Sequence, residues 1–97
     1  MVIEFLTFKV PSEKRDQWRL LDDEVWTSFL SSQPGFMKKE LWQSHERGDE
    51  FHAVIWWKDK RSWAAISTEQ ISKVDEGMGE FLIVPSVREF IVLESSD

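Results

Sequence analysis

The alternation of apolar and polar residues predicts four strands and two helical regions along this chain. The first segment, VIEFLTFKV at residues 2–10, is rich in β-branched and aromatic residues, as strands are. Period-two alternation places Glu4 on one face with Leu6 and Phe8, and Phe5 on the other face. Because both faces carry apolar side chains, we expect both to be covered.

The second segment predicts one amphipathic helix over residues 12–32. Apolar residues recur there at helical spacing, namely Trp18, Leu21, Val25 and Phe29, with Trp26 and Leu30 beside them. The acidic run DDE at residues 22–24 is expected on the solvated side. Pro34 disfavours helical geometry in the residue before it, and Gly35 permits a sharp turn, so the helix ends there.

The sequence from Phe36 to Trp57 predicts a β-hairpin that turns at Gly48, within ERGD. In the register that this turn suggests, Trp42 lies on the same face as Trp57, and His52 lies on the opposite face. A one-residue slip of the register would exchange the faces.

The remaining segment predicts a second helical region, broken near Ser67, and a last strand over residues 81–94 that is interrupted at Pro85. The order β-α-β-β-α-β is the ferredoxin-like pattern, an α+β fold whose four-stranded antiparallel sheet carries both helical regions on one face. Two copies that met sheet to sheet would bury the uncovered face. We therefore predict a single domain, residues 1–97, that forms a homodimer of the dimeric α+β barrel type.

Composition and charge narrow the function classes. The 97 residues include no cysteine, which excludes disulfides, cysteine-based zinc sites and thiol nucleophiles. A net charge of −6 argues against nucleic acid as a partner, because phosphate binding needs clustered lysine and arginine. The longest apolar runs are far shorter than the roughly 20 residues that cross a bilayer, and no secretion signal is visible. We expect a cytoplasmic protein that binds neither nucleic acid nor membrane.

Six tryptophans are the most conspicuous chemical feature, and three of them lie in AVIWWKDKRSW at residues 53–63. Indole rings suit a packed core and the wall of a pocket equally well. The plainer interpretation of their spacing is core packing. The sharper hypothesis is a pocket for a small aromatic ligand, and its candidate binding residues are Phe8, Trp26, Trp42, Trp57 and Trp63.

Two side chains are candidate catalytic bases. Glu4 would be partly desolvated if its face packs beneath the helices, which would raise its pKa and allow it to deprotonate a phenol or carbon acid. His52 could transfer a proton near neutral pH. The alternatives are a solvated or lysine-paired Glu4 and a structural or dimer-interface His52. We predict no metal site.

A family resemblance adds to these inferences. VIEFLTFKVP, PGF and VIWWKDKRSW resemble a family of small uncharacterised proteins, best known from cyanobacteria, within the dimeric α+β barrel superfamily. More distantly, the chain is similar to the antibiotic biosynthesis monooxygenase family. The resemblance implies the fold, dimerisation, and a pocket between sheet and helices that holds a small aromatic or polycyclic molecule.

The better-understood enzymes of that superfamily are haem-degrading enzymes and cofactor-free oxygenases. The haem-degrading type relies on an Asn, a Trp and a His; here the first two positions look like Glu4 and Ile66, and no histidine follows His52. The cofactor-free type often uses a tyrosine, which this chain lacks. We expect a cofactor-independent monooxygenase acting on a small aromatic substrate. The alternative is a non-catalytic dimer that binds a ligand or another protein.

Overall fold

The computed structural model describes residues 1–96, and these follow the β-α-β-β-α-β order that the sequence predicts. The strands are β1 (Val2–Lys9), β2 (Phe36–Gln43), β3 (Glu50–Trp57) and β4 (Ser86–Ile91). The helices are α1 (Arg15–Leu21), α2 (Ser28–Ser31), α3 (Lys60–Ala64) and α4 (Thr68–Glu76). A π-helical turn, Asp22–Thr27, joins α1 to α2, and short 3-10 turns lie at Ser12–Lys14 and Gly79–Phe81.

The four strands form one antiparallel sheet in the spatial order β2-β3-β1-β4, which confirms the ferredoxin-like α+β prediction. β4, at one edge, is shorter than the strand predicted over residues 81–94. Pro85 has no N–H to donate to the sheet, so regular pairing begins after it, and Gly79–Phe81 forms a 3-10 turn instead. Within residues 1–96, no helix is long and apolar enough to cross a membrane.

The core lies between the sheet and the helices. It consists of buried apolar side chains from both layers: Val2, Phe8, Val10, Trp18, Leu30, Phe51, Ala53, Ile55, Trp57 and Met78. The Trp18 ring lies 4.9 Å from the Phe8 ring and 5.4 Å from the Phe51 ring, measured between centroids. The opposite side of the sheet, which we call the open face, carries aromatic rings around Phe5: Trp42, His52 and Phe90.

The register of the hairpin differs by one residue from the predicted one. Trp42 pairs with His52, and Leu41 pairs with Ala53. Next to the turn, the Ser44 N–H donates a hydrogen bond to the Glu50 carbonyl at 2.9 Å, and this bond sets the register. Consequently Trp42 lies on the open face and Leu41 packs against the core, the reverse of the prediction.

The first helical region covers the predicted range closely, but its middle is a π-helical turn. Asp22, expected on the solvated side, is instead buried. It follows Trp18 by four residues, and side chains four apart lie on the same face of a helix. The acidic run at residues 22–24 therefore has one carboxylate directed towards the sheet.

The break predicted near Ser67 separates α3 from α4. The Asp59 side chain accepts a hydrogen bond from the Ser62 N–H at 2.8 Å and begins α3. Ser67 and Gln70 form a capping box that begins α4. This short interruption allows Trp63 and Ile66 to pack against the core beside the second part of the crossover.

Candidate functional site

A cavity of about 390 Å³ lies between the helix-covered side of the sheet, the helices and the segment that leads into β4. We call it the main cavity. Its apolar lining is Leu6, Phe8, Trp26, Leu30, Ala53, Ile55, Trp63, Ala64, Ile66, Ile71, Ile83, Val84, Pro85 and Val87. Four ionisable side chains interrupt this lining: Glu4, Asp22, Lys39 and Asp75.

One side of the main cavity is accessible to solvent. Val84, in the segment before β4, is 86% exposed, and Val87 and Ile71 are exposed as well. The floor, by contrast, is formed by the buried central strands, where Ala53 and Ile55 are almost fully enclosed. The main cavity therefore opens to solvent beside the segment that leads into β4, and its floor is apolar.

Glu4 lies in the middle of β1, on the helix-covered side of the sheet. The Trp57 indole N–H donates to its Oε1 at 3.0 Å, and Trp57 itself is fully buried. Burial raises the pKa of the Glu4 carboxyl above its ordinary value, and the Trp57 hydrogen bond and the charges of Lys60 and Lys39 partly oppose that shift. The result is a carboxyl group held in one orientation, with one oxygen engaged, in an apolar pocket.

Asp75, on α4, is a second carboxyl group in the lining. Burial raises the pKa of Asp75, and a hydrogen bond from the Trp26 side chain opposes the shift. Trp26 also packs edge to face against Phe29, with 6.0 Å between ring centroids. The indole is therefore held by one polar and one aromatic contact, and its face is available to line the cavity.

Lys39 and Asp22 form a buried ion pair in the same wall. Lys39 Nζ lies 2.6 Å from Asp22 Oδ2, and their side chains are only 5% and 6% exposed. Lys39 Nζ also donates to Thr27 Oγ1 at 2.6 Å. Removing two charges from water is costly unless each is paired and hydrogen-bonded, and both conditions are met here.

The π-helical turn explains how Asp22 and Thr27 reach the same ammonium group. In an α-helix, residues five apart point about 140° away from each other, given 3.6 residues per turn. A π-helical turn bonds residue i to residue i+5 and so brings such residues to one side. Asp22 and Thr27 are the first and last residues of the turn.

Sheet pairing places Glu4 and Lys39 on either side of Ile55. Ile55 pairs with Glu4 on β1 and with Lys39 on β2. Neighbouring strands are about 4.8 Å apart, so the Cα atoms of Glu4 and Lys39 are separated by about 10 Å. A carboxyl group and an ammonium group therefore flank the apolar floor on which a flat ring could lie.

A second, more polar cavity of about 470 Å³ lies on the other side of the Asp22–Lys39 pair. We call it the outer cavity. Asp22 and Lys39 line both cavities, whereas Arg19 and Asp23 line only the outer cavity. The ion pair thus separates the apolar main cavity from the more polar outer cavity.

The structure brings four of the proposed site residues together: Glu4, Phe8, Trp26 and Trp63 all line the main cavity. Trp57 lies behind Glu4 and acts on the cavity through its hydrogen bond.

Trp42 and His52 lie on the open face instead. Trp42 is 44% exposed, and its indole N–H donates to Glu40 Oε1 at 2.8 Å. His52 Nδ1 lies 3.0 Å from Thr7 Oγ1 and Nε2 lies 2.8 Å from Glu50 Oε2. Both ring nitrogens are therefore occupied, and the sheet separates His52 from the main cavity.

Sequence reasoning missed Asp22, Lys39 and Asp75. Two of them carried a usable signal. Asp22 follows the buried Trp18 by four residues, and Asp75 follows Ile71, which also lines the cavity, by four. The position of Lys39 could be found only with the correct hairpin register.

Comparison with known proteins identifies the family and supports the fold. The family model for antibiotic biosynthesis monooxygenases matches residues 1–70, so the chain belongs to the antibiotic biosynthesis monooxygenase family. No curated protein matches the chain in sequence. The narrower likeness to a cyanobacterial group stays a prediction.

Solved structures with the same fold cover almost the whole chain at low identity. A haem degrader, MhuD from Mycobacterium tuberculosis with two haems in its active site, has a TM-score of 0.81 at 15% identity, covering 100% of each chain. A putative antibiotic biosynthesis monooxygenase from Bordetella bronchiseptica has a TM-score of 0.80 at 12% identity, covering 96% of this chain and 97% of its own. SnoaB, a cofactor-independent oxygenase from Streptomyces nogalater, has a TM-score of 0.72 at 16% identity, covering 97% and 94%.

The cavity residues do not fit histidine-ligated haem. The chain has two histidines, and neither lines the main cavity. Glu4 and Ile66, which stand where the resemblance expects Asn and Trp, both line the cavity, and they supply neither that amide nor that indole. A carboxyl group offers a base where an amide would offer only hydrogen bonds.

The raised pKa of Glu4 predicts a pH-dependent effect of Glu4→Gln on stability. Below the ordinary value of 4.5 the carboxyl is protonated in both folded and unfolded chains. As the pH rises, the unfolded chain ionises first, so the wild type loses stability relative to Glu4→Gln, and the full difference is present above the folded-state pKa. Urea unfolding at pH 4 and pH 7.5 measures this difference.

Glu69→Gln is the control, because Glu69 is an exposed carboxylate on α4. If the stability difference between wild type and Glu4→Gln were the same at both pH values, Glu4 would be solvated rather than desolvated by the core.

Proposed function

We propose that this protein binds a small aromatic molecule in the main cavity and oxidises it as a cofactor-independent monooxygenase. The observation that carries the proposal is the Glu4 carboxyl, held by the Trp57 N–H at the floor of an apolar cavity. Membership in the antibiotic biosynthesis monooxygenase family supports a small-molecule-binding protein of this fold.

The size and lining of the main cavity suit a flat, apolar ligand. A volume of about 390 Å³ lies within the range of roughly 300–1,000 Å³ that small-molecule pockets usually have. Phe8, Trp26 and Trp63 provide aromatic surface, and aromatic pairs are favoured in offset or edge-to-face arrangements. A fused two-ring or three-ring compound matches this space.

The proposed reaction starts with proton abstraction. Glu4 takes the proton of a phenolic hydroxyl, and the electron pair stays on the substrate as a phenolate whose ring carbon reacts with dioxygen. Dioxygen forms a C–O bond to that ring carbon, and the resulting peroxide takes the proton back from Glu4. Loss of the C–H hydrogen together with the terminal OH of this hydroperoxide, as water, breaks the O–O bond and leaves a quinone carbonyl. For a dihydroxynaphthalene and one O₂ the products are a hydroxynaphthoquinone and one H₂O.

The partner proposed for this chain is a second copy of itself. The open face carries Phe5 among Trp42, His52 and Phe90, and Trp42 and Phe90 are exposed. Exposed aromatic clusters on an otherwise polar surface mark interaction sites. A homodimer formed sheet to sheet would bury this cluster. The cytoplasmic location stays a prediction.

A non-catalytic ligand-binding dimer is the alternative. It shares the main cavity and the open face with the proposed enzyme, and it differs only in having no use for the desolvated Glu4. Solid packing of the tryptophans would have favoured a protein-interaction dimer, whereas a cavity of this volume favours ligand binding.

Filling the mouth of the main cavity should weaken ligand binding. Ala64 and Ala65 are neighbouring exposed residues, but only Ala64 lines the cavity. We expect Ala64→Phe to raise the Kd for 1,5-dihydroxynaphthalene by at least about tenfold, and Ala65→Phe to leave it unchanged. Isothermal titration calorimetry under nitrogen measures both; equal affinities would place the ligand elsewhere.

Oxygen uptake distinguishes an enzyme from a protein that only carries its ligand. Oxygen uptake with 1,5-dihydroxynaphthalene should exceed the protein-free rate, and Glu4→Gln should lower kcat by about 10²–10⁴-fold, the usual contribution of a general base. Glu69→Gln serves as the control. Binding without oxygen uptake would make the protein a carrier, and uptake that survives Glu4→Gln would remove Glu4 as the base.

A charge on the open face should prevent dimerisation. Light scattering coupled to size exclusion should give the mass of two chains for the wild type at micromolar concentration, and the mass of one chain for Trp42→Arg. Leu20→Arg, which changes an exposed residue of α1, should remain dimeric. A monomeric wild type would disprove the sheet-to-sheet dimer.

A further inference from the structure

Stability alone does not explain why the Lys39–Asp22 pair is buried. Replacing both members of a buried ion pair by apolar residues of similar volume is often neutral or stabilising. Yet this chain keeps Lys39 buried and uses Asp22 and Thr27 to hold it.

Hydrogen bonding leaves Lys39 with unused capacity. An ammonium group has three N–H donors. One donates to Asp22 Oδ2 and one to Thr27 Oγ1, and within residues 1–96 the third has no protein acceptor. Lys39 lines the main cavity as well as the outer cavity, so an anionic oxygen of a molecule in the main cavity could accept this third hydrogen bond.

The chemistry proposed for Glu4 requires such a cation. The pKa of a phenol is near 10 and that of a glutamate is near 4.3. Only a small fraction of a phenol would therefore transfer its proton to a carboxylate acting alone. Burial narrows this gap by raising the pKa of Glu4. A cation beside the phenolate oxygen lowers the pKa of the phenol, because it stabilises the negative charge that proton transfer creates.

The sheet places Glu4 and Lys39 close enough to act on one bound ring. Glu4 and Lys39 flank Ile55 on the same side of the sheet, with about 10 Å between their Cα atoms. The Lys39 side chain reaches from the sheet to Asp22 and Thr27 on the helical layer, and it lines the same cavity as Glu4. A hydroxyl group on a ring above Ile55 would lie between a base and a cation.

We propose that Lys39, positioned by Asp22 and Thr27, is the oxyanion-binding group of the main cavity, and that the site therefore selects hydroxylated aromatic substrates that bind as their phenolates. The inference rests on the proposed function, since it takes the main cavity as the ligand site. It names the substrate class by its acidic hydroxyl group. Asp22 neutralises the charge of Lys39 in the free protein, which makes the buried ammonium tolerable between turnovers.

A coloured naphthol tests the proposal directly. 4-Nitro-1-naphthol absorbs differently as naphthol and naphtholate, so its apparent pKa can be measured free and bound by titration in the spectrophotometer. We expect wild type to lower the pKa of the bound probe by at least about one unit, equivalent to at least tenfold tighter binding of the naphtholate than of the naphthol.

The decisive variant removes both charges together. Lys39→Met alone would leave Asp22 buried and unpaired, which can unfold a small domain, so it is combined with Asp22→Asn. The double variant should return the bound probe's pKa to the free value or above it. Lys38→Met is the matched control, because Lys38 is the neighbouring residue on the open face and is exposed. Lys39→Arg should retain part of the shift.

The outcomes separate this proposal from the proposed function. If the double variant binds naphtholate as selectively as wild type does, Lys39 is not the oxyanion-binding group, whatever the turnover shows. If wild type binds neither form of the probe, the substrate class is wrong and the proposed ligand site fails with it. If the shift depends on Lys39 but oxygen uptake is absent, the oxyanion site stands and the monooxygenase activity does not.

Discussion

The register of β2 against β3 is the constraint on which the candidate site depends. Side chains alternate between the two faces of a sheet, so the pairing of Leu41 with Ala53 decides that Lys39 points with Leu41 towards the helices. The same pairing sends Trp42 to the open face. One residue of slip would place an ammonium group on the exterior and an indole in the core, and both the ion pair and the main cavity would be lost.

Energetically, the site is a set of polar groups that the small domain keeps out of water. Glu4 is compensated by the Trp57 N–H, Asp75 by Trp26, and Lys39 by two oxygens from one helical turn. Each polar group has a partner on a different structural element, which links β1 to β3, α4 to the π-helical turn, and β2 to the same turn. The Lys39 contacts therefore join the sheet to the helical layer, the other two pairs each act within one layer, and the floor of the cavity stays apolar.

Much of the fold followed from the sequence, and part of the site did not. Alternation in β1 correctly placed Glu4 with Leu6 and Phe8, because the alternation of side chains along one strand does not depend on how that strand pairs. The hairpin register was predicted one residue off, since it depends on the hydrogen bonds of the turn rather than on the strands. The buried position of Asp22 was missed because acidic runs usually face solvent, and the lysine that pairs with it lies on a distant strand.

The π-helical turn has a consequence for how this site tolerates change. Asp22 and Thr27 are five residues apart, so only the π-helical geometry directs both towards Lys39. Deleting one residue between them would leave the pair four apart, a spacing that an ordinary α-helix also places on one face. The turn therefore accommodates one extra residue in this helical region without separating the carboxylate and the hydroxyl from the ammonium.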